Sequence, residues 1–225
     1  MKISALAMGA LALTATTPAI AGDLNGAGAS FPAPIYQRWF KDYADKTGNQ
    51  VNYQAVGSGA GVRQYKAGTT DFGASDKAVS DKKLSGISRP MVQIPMTGGA
   101  IAVAYNKPGC DLKLTQTEVA QVFYGRIDNW SHFGCGDTPI TIAVRSDGSG
   151  TTAGFTNSLS AFSIYWDVRV GRGKSVNWPG SNTVAGKGNS GVAGIIKNTP
   201  GAIGYLNYGY VVGDRFQQAA LENKA

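Results

Sequence analysis

The sequence RSDGSGT at residues 145–151 decides the fold, because it joins two segments of different periodicity. The run ITIAV at 140–144 before it is apolar and rich in β-branched residues, which is typical of a buried strand. The segment 152–160 after it is compatible with a helix. Glycines in such a loop leave free N–H groups at the helix start, where the helix dipole favours negative charge. Arg145 adds a planar fork of donors that fits a tetrahedral oxyanion, so this stretch predicts an anion site.

The same order of strand, glycine with a hydroxyl residue, and helix occurs twice more. The two loops are Gly28-Ala29-Ser30-Phe31 and Gly57-Ser58-Gly59, and each serine lies near the expected N-cap of the next helix. A serine before a helix is usually only a cap, so each loop alone is weak evidence. Ligands of open α/β sheets bind at the carboxyl ends of strands, where all three loops are expected to lie.

The order of segments predicts an α/β fold. Strands are expected at 24–29, 50–56 and 71–74, with helices after Pro32 and at 62–66. This alternation is typical of a parallel sheet with helices on its faces. Apolar runs at 91–95 and 100–105 predict two more strands. Thr115 and Glu118 then form a capping box for a helix that ends at Gly125.

The first 21 residues are predicted to be a secretory signal peptide. Lys2 gives a basic start, Ile3–Leu13 is an apolar run, and Ala19-Ile20-Ala21 is a small-residue cleavage site. The run is too short to span a membrane. We therefore expect an exported chain. The sequence changes character near residues 87–100, which predicts a boundary between two lobes, 22–95 and 96–225. The alternative, a cytoplasmic protein with an apolar first helix, stays open.

Charge and cysteine content limit the partners. The net charge of +7 is compatible with nucleic acid or a membrane surface, but the basic residues are scattered and no run exceeds Lys82-Lys83. We therefore expect a soluble basic surface that attracts small anions, and no nucleic acid partner. Cys110 and Cys135 are expected to form one disulfide in an oxidising compartment. With the single histidine, His132, they lack a compact metal-ligand spacing, so no metal or cofactor is expected.

Seven stretches, taken together, resemble the periplasmic phosphate-binding proteins of phosphate ABC transporters, the PstS family. In chain order they are GAGASFPAP (26–34), VNYQ (51–54), GS (57–58), DFGASD (71–76), RSDGSGT (145–151), GKGN (186–189) and PGAIGY (200–205). The resemblance implies a two-lobed, type II-like periplasmic-binding-protein architecture in which each lobe is a central sheet flanked by helices. It also implies that family members continue further with a segment that returns to the first lobe. The first lobe of this chain is therefore expected to be incomplete.

The function implied by the resemblance is binding without chemistry. Such a protein captures inorganic phosphate and delivers it to an inner-membrane phosphate ABC transporter, and we expect it to act as a monomer. The implied phosphate ligands are Ser30, the Phe31 N–H, Ser58, Asp76, Arg145, Ser149, Gly150 and Thr151. Asp147 is expected to hold the guanidinium of Arg145 in place.

Asp76 also has a role that can be argued from its charge. A carboxylate that faces an anion is tolerable only where the anion carries a proton to donate. Phosphate near neutral pH still carries a proton and sulfate carries none, so Asp76 is expected to select phosphate. The alternative that Asp76 only caps a turn or pairs with Lys77 stays open.

Two other functions remain possible from the sequence, a periplasmic phosphate-ester hydrolase and a surface protein that scavenges phosphate. A hydrolase needs a nucleophile, a metal cluster or a tuned acid–base pair. The sequence has one histidine and no His/Asp cluster with metal spacing, which argues against a hydrolase. Scavenging and transport differ in ligand release and in docking to a transporter.

Overall fold

A computed structural model describes residues 22–223 of the chain. The predicted signal peptide lies outside the described residues, so it stays a prediction. Within residues 22–223, no helix is both long and apolar enough to cross a membrane. This part of the chain forms a three-stranded sheet, a five-stranded sheet and a small two-stranded sheet, with helices on the two larger sheets. The prediction of an α/β fold is confirmed.

The first sheet is parallel, with the strand order β2-β1-β3. Its elements are β1 (Leu24–Gly28), α1 (Ala33–Thr47), β2 (Val51–Gln54), α2 (Ser58–Lys66) and β3 (Phe72–Ala74). Each helix carries the chain to the next parallel strand, as the order of segments predicts. The carboxyl ends of the three strands therefore lie along one edge, and Ser30, Ser58 and Asp76 follow those ends within a few residues.

Helix α1 packs on this sheet through a small aromatic core. The ring centroid of Tyr36 lies 5.2 Å from that of Phe40 and also 5.2 Å from that of Tyr53. Three apolar side chains of the same helix remain 37–43% exposed, namely Ile35, Trp39 and Tyr43. Gly48 ends the helix in the left-handed region at φ 75°, which glycine adopts without strain.

The second sheet has the strand order β7-β6-β8-β4-β9. Its strands are β4 (Ile101–Tyr105), β6 (Thr141–Arg145), β7 (Thr183–Gly186), β8 (Ala202–Asn207) and β9 (Gln217–Gln218). Strand β6 pairs in parallel with β7 and β8, whereas β4 is antiparallel to β8 and β9. Two further short strands, β5 (Lys113–Leu114) and β10 (Ala220–Leu221), form the small sheet. A larger core lies here, centred on Phe123, Trp130 and Tyr205.

Helices cover both faces of this larger sheet and the connection that leads to it. They are α3 (Asp81–Leu84), α4 (Gln116–Tyr124), α5 (Gly150–Phe162), α6 (Ile164–Arg169), α7 (Gly188–Asn198) and α8 (Tyr208–Asp214). The capping box that starts α4 is confirmed, because Thr115 Oγ1 accepts from the Glu118 N–H at 3.1 Å and Glu118 Oε2 accepts from the Thr115 N–H at 2.8 Å. Gly125 ends α4 at φ 80°, also as predicted.

The strand predicted at Met91–Pro95 is wrong. Residues 91–100 belong to no strand of the described chain, and Val92 and Ile94 are 82% and 68% exposed. An apolar run becomes a strand only where a neighbouring strand takes up its N–H and C=O groups, and this run has no such neighbour among residues 22–223. Helix α2 also begins at Ser58, four residues earlier than the predicted Val62.

The predicted disulfide between Cys110 and Cys135 is present, with the two Cα atoms 5.5 Å apart. It joins the segment before β5 to the chain that follows the 3-10 turn Trp130–Phe133. Trp130 is fully buried beside it in the larger core. The crosslink therefore stabilises the second sheet and lies within one core rather than between the two sheets.

Candidate functional site

Loops from the two large sheets meet, and they bring the N-termini of four helices together. The Gly59 N–H, in the first turn of α2, donates to the Gly148 carbonyl before α5 at 2.8 Å. The Asn189 N–H, in the first turn of α7, donates to Ser30 Oγ before α1 at 3.0 Å. The Gly188 N–H donates to Asp147 Oδ1 at 2.9 Å, which links α7 to the loop before α5. The convergence predicted from the glycine loops is therefore found in the structure.

Arg145 lies at the end of β6 with its side chain only 2% exposed. Its Nε donates to Asp147 Oδ1 at 2.7 Å and its Nη2 donates to Asp147 Oδ2 at 2.5 Å. Both oxygens of one carboxylate thus hold one edge of the guanidinium fork. The remaining nitrogen, Nη1, donates to none of the described residues. A buried cation therefore presents unused donors at the strand end where the other loops meet.

Asp147 is held in its charged form. Burial opposes ionisation, but hydrogen bonds from Arg145 and from the Gly188 N–H outweigh burial and lower the pKa of Asp147 below its usual value. Gly57 lies directly against this carboxylate, at φ 91°, and a Cβ there would lie only 2.0 Å from Asp147 Oδ2. The Gly57 position therefore requires glycine for both its backbone conformation and its close approach.

Asp76 joins hydroxyl groups from both sheets. Ser58 Oγ, at the start of α2, donates to Asp76 Oδ1 at 2.8 Å. Thr151 Oγ1, in the first turn of α5, donates to Asp76 Oδ2 at 2.9 Å. A Cβ on Gly150 would lie 2.5 Å from the Asp76 Cβ, so the glycine allows this approach. Asp76 forms no ion pair with Lys77 within the described residues.

The three serines of the glycine loops do not act alike. Ser149 is the N-cap of α5, because its Oγ accepts from the Thr152 N–H at 3.0 Å, as predicted. The prediction of a serine N-cap is wrong for the other two loops, where Pro32 precedes α1 and Gly57 precedes α2. Ser30 lies too early to cap α1, and Ser58 is already helical. Ser30 Oγ instead accepts from the Asn189 N–H of α7, and Ser58 Oγ donates to Asp76 after β3.

Several amide N–H groups at the site donate to none of the described residues. They belong to Phe31, Ser58, Gly150 and Thr151, which precede or open three of the four helices. The Ser149 N–H differs, because it donates to the Lys174 carbonyl at 2.8 Å. Free N–H groups at helix starts carry the positive end of the helix dipole. With Arg145 Nη1, these groups suit an anion with several oxygens.

Two polar residues of the site were not found from the sequence. Asn189 is fully buried, its Nδ2 donates to Ser30 Oγ at 3.0 Å, and its Oδ1 accepts from the Asn207 N–H at 3.0 Å. Lys174 donates to Ser75 Oγ at 3.0 Å, and burial together with neighbouring lysines lowers the pKa of its ammonium group. Asn189 belongs to the GKGN stretch at 186–189, and its place in that stretch was the available sequence signal.

The sequence profile described as the PBP superfamily domain matches residues 13–221. The chain belongs to the PBP superfamily. Among the curated relatives of this chain, the phosphate-binding protein PstS of Xylella fastidiosa is 41% identical over 215 residues. The matched residues cover 90% of this chain and 58% of that protein. PstS of Pasteurella multocida is also 41% identical, over 90% of this chain and 61% of that protein. The chain therefore spans about three fifths of the length of these relatives.

Solved structures agree with this family membership. A high-affinity periplasmic phosphate-binding protein, PfluDING, solved with bound phosphate, matches with a TM-score of 0.70 and 26% identity, over 90% of this chain and 62% of that chain. A phosphate-binding protein from Stenotrophomonas maltophilia matches with a TM-score of 0.68 and 22% identity, over 89% and 65% of the two chains. The second likeness shows the fold alone. The periplasmic-binding-protein architecture predicted from the sequence is confirmed.

Proposed function

We propose that this chain captures inorganic phosphate in the periplasm and delivers it, as a monomer, to an inner-membrane phosphate ABC transporter without chemical change. Family membership supports a binding function, and the relatives named as phosphate-binding proteins support this ligand. Because the chain spans only part of those relatives, the ligand and the transporter are proposals for this chain. The predicted signal peptide supports the location.

One observation carries the proposal, namely the unused donors beside Arg145. The guanidinium is buried and oriented by Asp147, and its Nη1 is left for a ligand. The free N–H groups of Phe31, Ser58, Gly150 and Thr151 come from helix starts on both sheets. A phosphate ion has four oxygens that can accept from such a set. The donors are fixed before the ligand arrives, which reduces the ordering cost of binding.

Asp76 and its two hydroxyl partners supply the selectivity in this proposal. The carboxylate already accepts from Ser58 and Thr151, and each oxygen keeps a second lone pair for the proton of a phosphate. Phosphate binding lets the two hydroxyls turn towards phosphate oxygens while the P–OH group donates to Asp76. Sulfate has no proton for this exchange, so it would leave the carboxylate facing an anion.

We propose 22–95 and 96–225 as the two lobes that close over the ligand. The contacts Gly59–Gly148, Ser30–Asn189 and Asp76–Thr151 all join the first sheet or its loops to the second. A ligand that adds contacts to both sides favours this closed arrangement over an open one. Ser149 contributes to the site by fixing the start of α5, and its hydroxyl proton is free to donate to the ligand.

Calorimetric titration of residues 22–225 with phosphate and with sulfate tests this function. The proposal predicts saturable 1:1 binding of phosphate and much weaker binding of sulfate near neutral pH. Equal binding of the two anions, or no binding of phosphate, would contradict it. Incubation with p-nitrophenyl phosphate tests the hydrolase alternative, because steady release of nitrophenolate would show catalysis instead of capture.

A further inference from the structure

A wide basic groove lies beside the candidate phosphate site. Its volume is about 1050 Å³, and its walls come from α2, from the segment 76–87 that includes α3, from the start of α5 and from residues 172–174. The groove is thus bounded by both predicted lobes. Of the candidate phosphate ligands, Asp76 and Gly150 line the groove, so phosphate capture leaves most of the groove volume without an assigned role.

The charged side chains that line the groove are almost all positive. Five cations on its walls come from the first part of the chain, namely Arg63, Lys66, Lys77, Lys82 and Lys83. Arg172 and Lys174 face them from the second part, and Asp76 is the one carboxylate among the lining residues. Of these seven cations, Arg172 alone forms an ion pair within residues 22–223, with Asp167 outside the groove at 3.1 Å. The others have no acidic partner in that part of the structure.

The groove borders the phosphate site and shares residues with it. Asp76, Gly148 and Gly150 line it, and the same three residues form contacts at the site through Thr151 and Gly59. Lys174 links the two regions, because its carbonyl accepts from Ser149 and its ammonium group donates to Ser75. A ligand whose terminal group lies beside Asp76 would therefore place the rest of its length among the unpaired lysines.

We propose that the groove binds linear condensed phosphate, with the terminal phosphoryl group at the phosphate site and the following phosphoryl units along the lysines. This inference rests on the proposed function, since it uses the same site for the terminal group. A condensed phosphate carries about one negative charge for each unit along a flexible chain, which suits a groove lined by several cations without acidic partners. The ligand class is thereby extended from one anion to a polyanion.

A single-stranded nucleic acid is the competing polyanion, and the groove lacks what it needs. Proteins that bind single strands combine a basic groove with aromatic side chains on which the bases stack. The lining residues of this groove include no Phe, Tyr or Trp. The walls offer glycine, small apolar residues and cations, which give a base no stacking surface. Condensed phosphate has no bases, so the lack of aromatic side chains does not weaken its binding.

Titration of residues 22–225 with phosphate, tripolyphosphate and an oligothymidylate, at two salt concentrations, tests this proposal. Tripolyphosphate is expected to bind more tightly than phosphate at low salt, with a steeper loss of affinity as salt rises, because more ion contacts release more counterions. The oligothymidylate is expected to bind more weakly than tripolyphosphate of similar charge. Tighter binding of the oligonucleotide would overturn the assignment to condensed phosphate.

The double variant Lys82→Ala/Lys83→Ala examines the groove directly. It is expected to lower the affinity for tripolyphosphate about tenfold at low salt. The affinity for phosphate is expected to stay within about twofold of that of the parent chain, since neither lysine contacts the candidate phosphate ligands. The matched control Lys46→Ala/Lys197→Ala removes the same charge from exposed helix ends outside the groove. Equal effects of the two double variants on tripolyphosphate would overturn the proposal.

The outcomes also separate this inference from the proposed function. Phosphate binding without any preference for tripolyphosphate overturns the groove assignment and leaves phosphate capture standing. Tripolyphosphate binding that depends on Lys82 and Lys83, without phosphate binding, supports the role of the lysines but contradicts both phosphate capture and the placement of the terminal unit at the phosphate site. Competition between phosphate and tripolyphosphate for one site supports both, because the terminal unit is expected to occupy the phosphate position.

Discussion

Thr151 Oγ1 donates a hydrogen bond to Asp76 Oδ2 at 2.9 Å, although the two residues lie 75 positions apart in the chain. Thr151 is buried at the start of α5, on the second sheet, and Asp76 follows the last strand of the first sheet. The second oxygen of the same carboxylate accepts from Ser58 Oγ. Asp76 thus connects the two sheets at the position where we propose that it accepts the proton of phosphate.

The Asp76→Asn variant is expected to lose most of its preference for phosphate over sulfate. The amide side chain carries no charge to repel sulfate, and it can donate to an oxygen of either anion. The change in preference is expected to be about 1–3 kcal/mol, the cost of one unsatisfied buried group. Titration of both anions against the variant and the parent chain measures it. An unchanged preference would reject the role of Asp76 in selection and leave it as a structural link.

The Arg145→Lys variant is expected to bind phosphate much more weakly than the parent chain. Lysine keeps the charge but cannot use two nitrogens on Asp147 and a third on the ligand. The expected loss is about 2–4 kcal/mol, typical of a desolvated ion contact whose geometry is broken. Calorimetric titration of phosphate measures this loss, and the thermal midpoint of unfolding reports whether the variant is folded. A folded variant with normal affinity would contradict a direct contact.

The Asp147→Asn variant is expected to show over which pH range this carboxylate stabilises the fold. The pKa of Asp147 in the folded protein lies below its usual value, so its contribution is present above the unfolded-state pKa of about 4 and is lost as pH falls through the folded-state pKa. The parent chain is therefore expected to exceed the variant in unfolding free energy near neutral pH. This difference should shrink below about pH 4. Urea unfolding at both pH values checks this, and a constant difference would contradict it.

The Gly57→Ala variant is expected to destabilise the contact between α2 and the Arg145 loop. An alanine Cβ would meet Asp147 Oδ2 and would also strain the backbone at φ 91°. Gly48→Ala is the matched control, because Gly48 also has a positive φ, 75°, but has no atom within 4 Å of an added Cβ. Strain alone costs about 1 kcal/mol or more at each position, so the excess at Gly57 measures the steric contact.

Urea unfolding of the two glycine variants gives the comparison. A Gly57→Ala variant at least about 1 kcal/mol less stable than Gly48→Ala would support the close approach, since overpacking typically costs this much. Equal stabilities would show that the loop moves away without penalty. Phosphate titration adds a second readout, because displacement of Asp147 also displaces the guanidinium that it orients.

Local signals made part of the fold predictable. The capping box of Thr115 and Glu118 lies within four consecutive residues, and both of its hydrogen bonds form within that turn. The strand–loop–helix around Arg145 was predictable for the same reason, since Ser149 caps α5 three residues away and Arg145 pairs with Asp147 two residues away. Met91–Pro95 was mispredicted because strand formation depends on a distant partner, which no periodicity within the run can reveal.

Long-range contacts explain what the sequence did not show at the site. Ser30 and Asn189 are 159 positions apart, so the hydrogen bonds between them appear only once the start of α7 meets the loop after β1. A serine near a helix start usually acts locally, which favours a capping role for Ser30 and Ser58 when only the sequence is considered. Their hydroxyls instead reach Asn189 and Asp76, which the chain brings near through the fold.

A crystal structure of residues 22–225 grown with phosphate tests the central claim most directly. We expect one phosphate ion within hydrogen-bond distance of Arg145 Nη1 and of the N–H groups of Ser58, Gly150 and Thr151, with one phosphate oxygen on Asp76. Density for phosphate elsewhere on the molecule, with these donors facing bulk water, would contradict it.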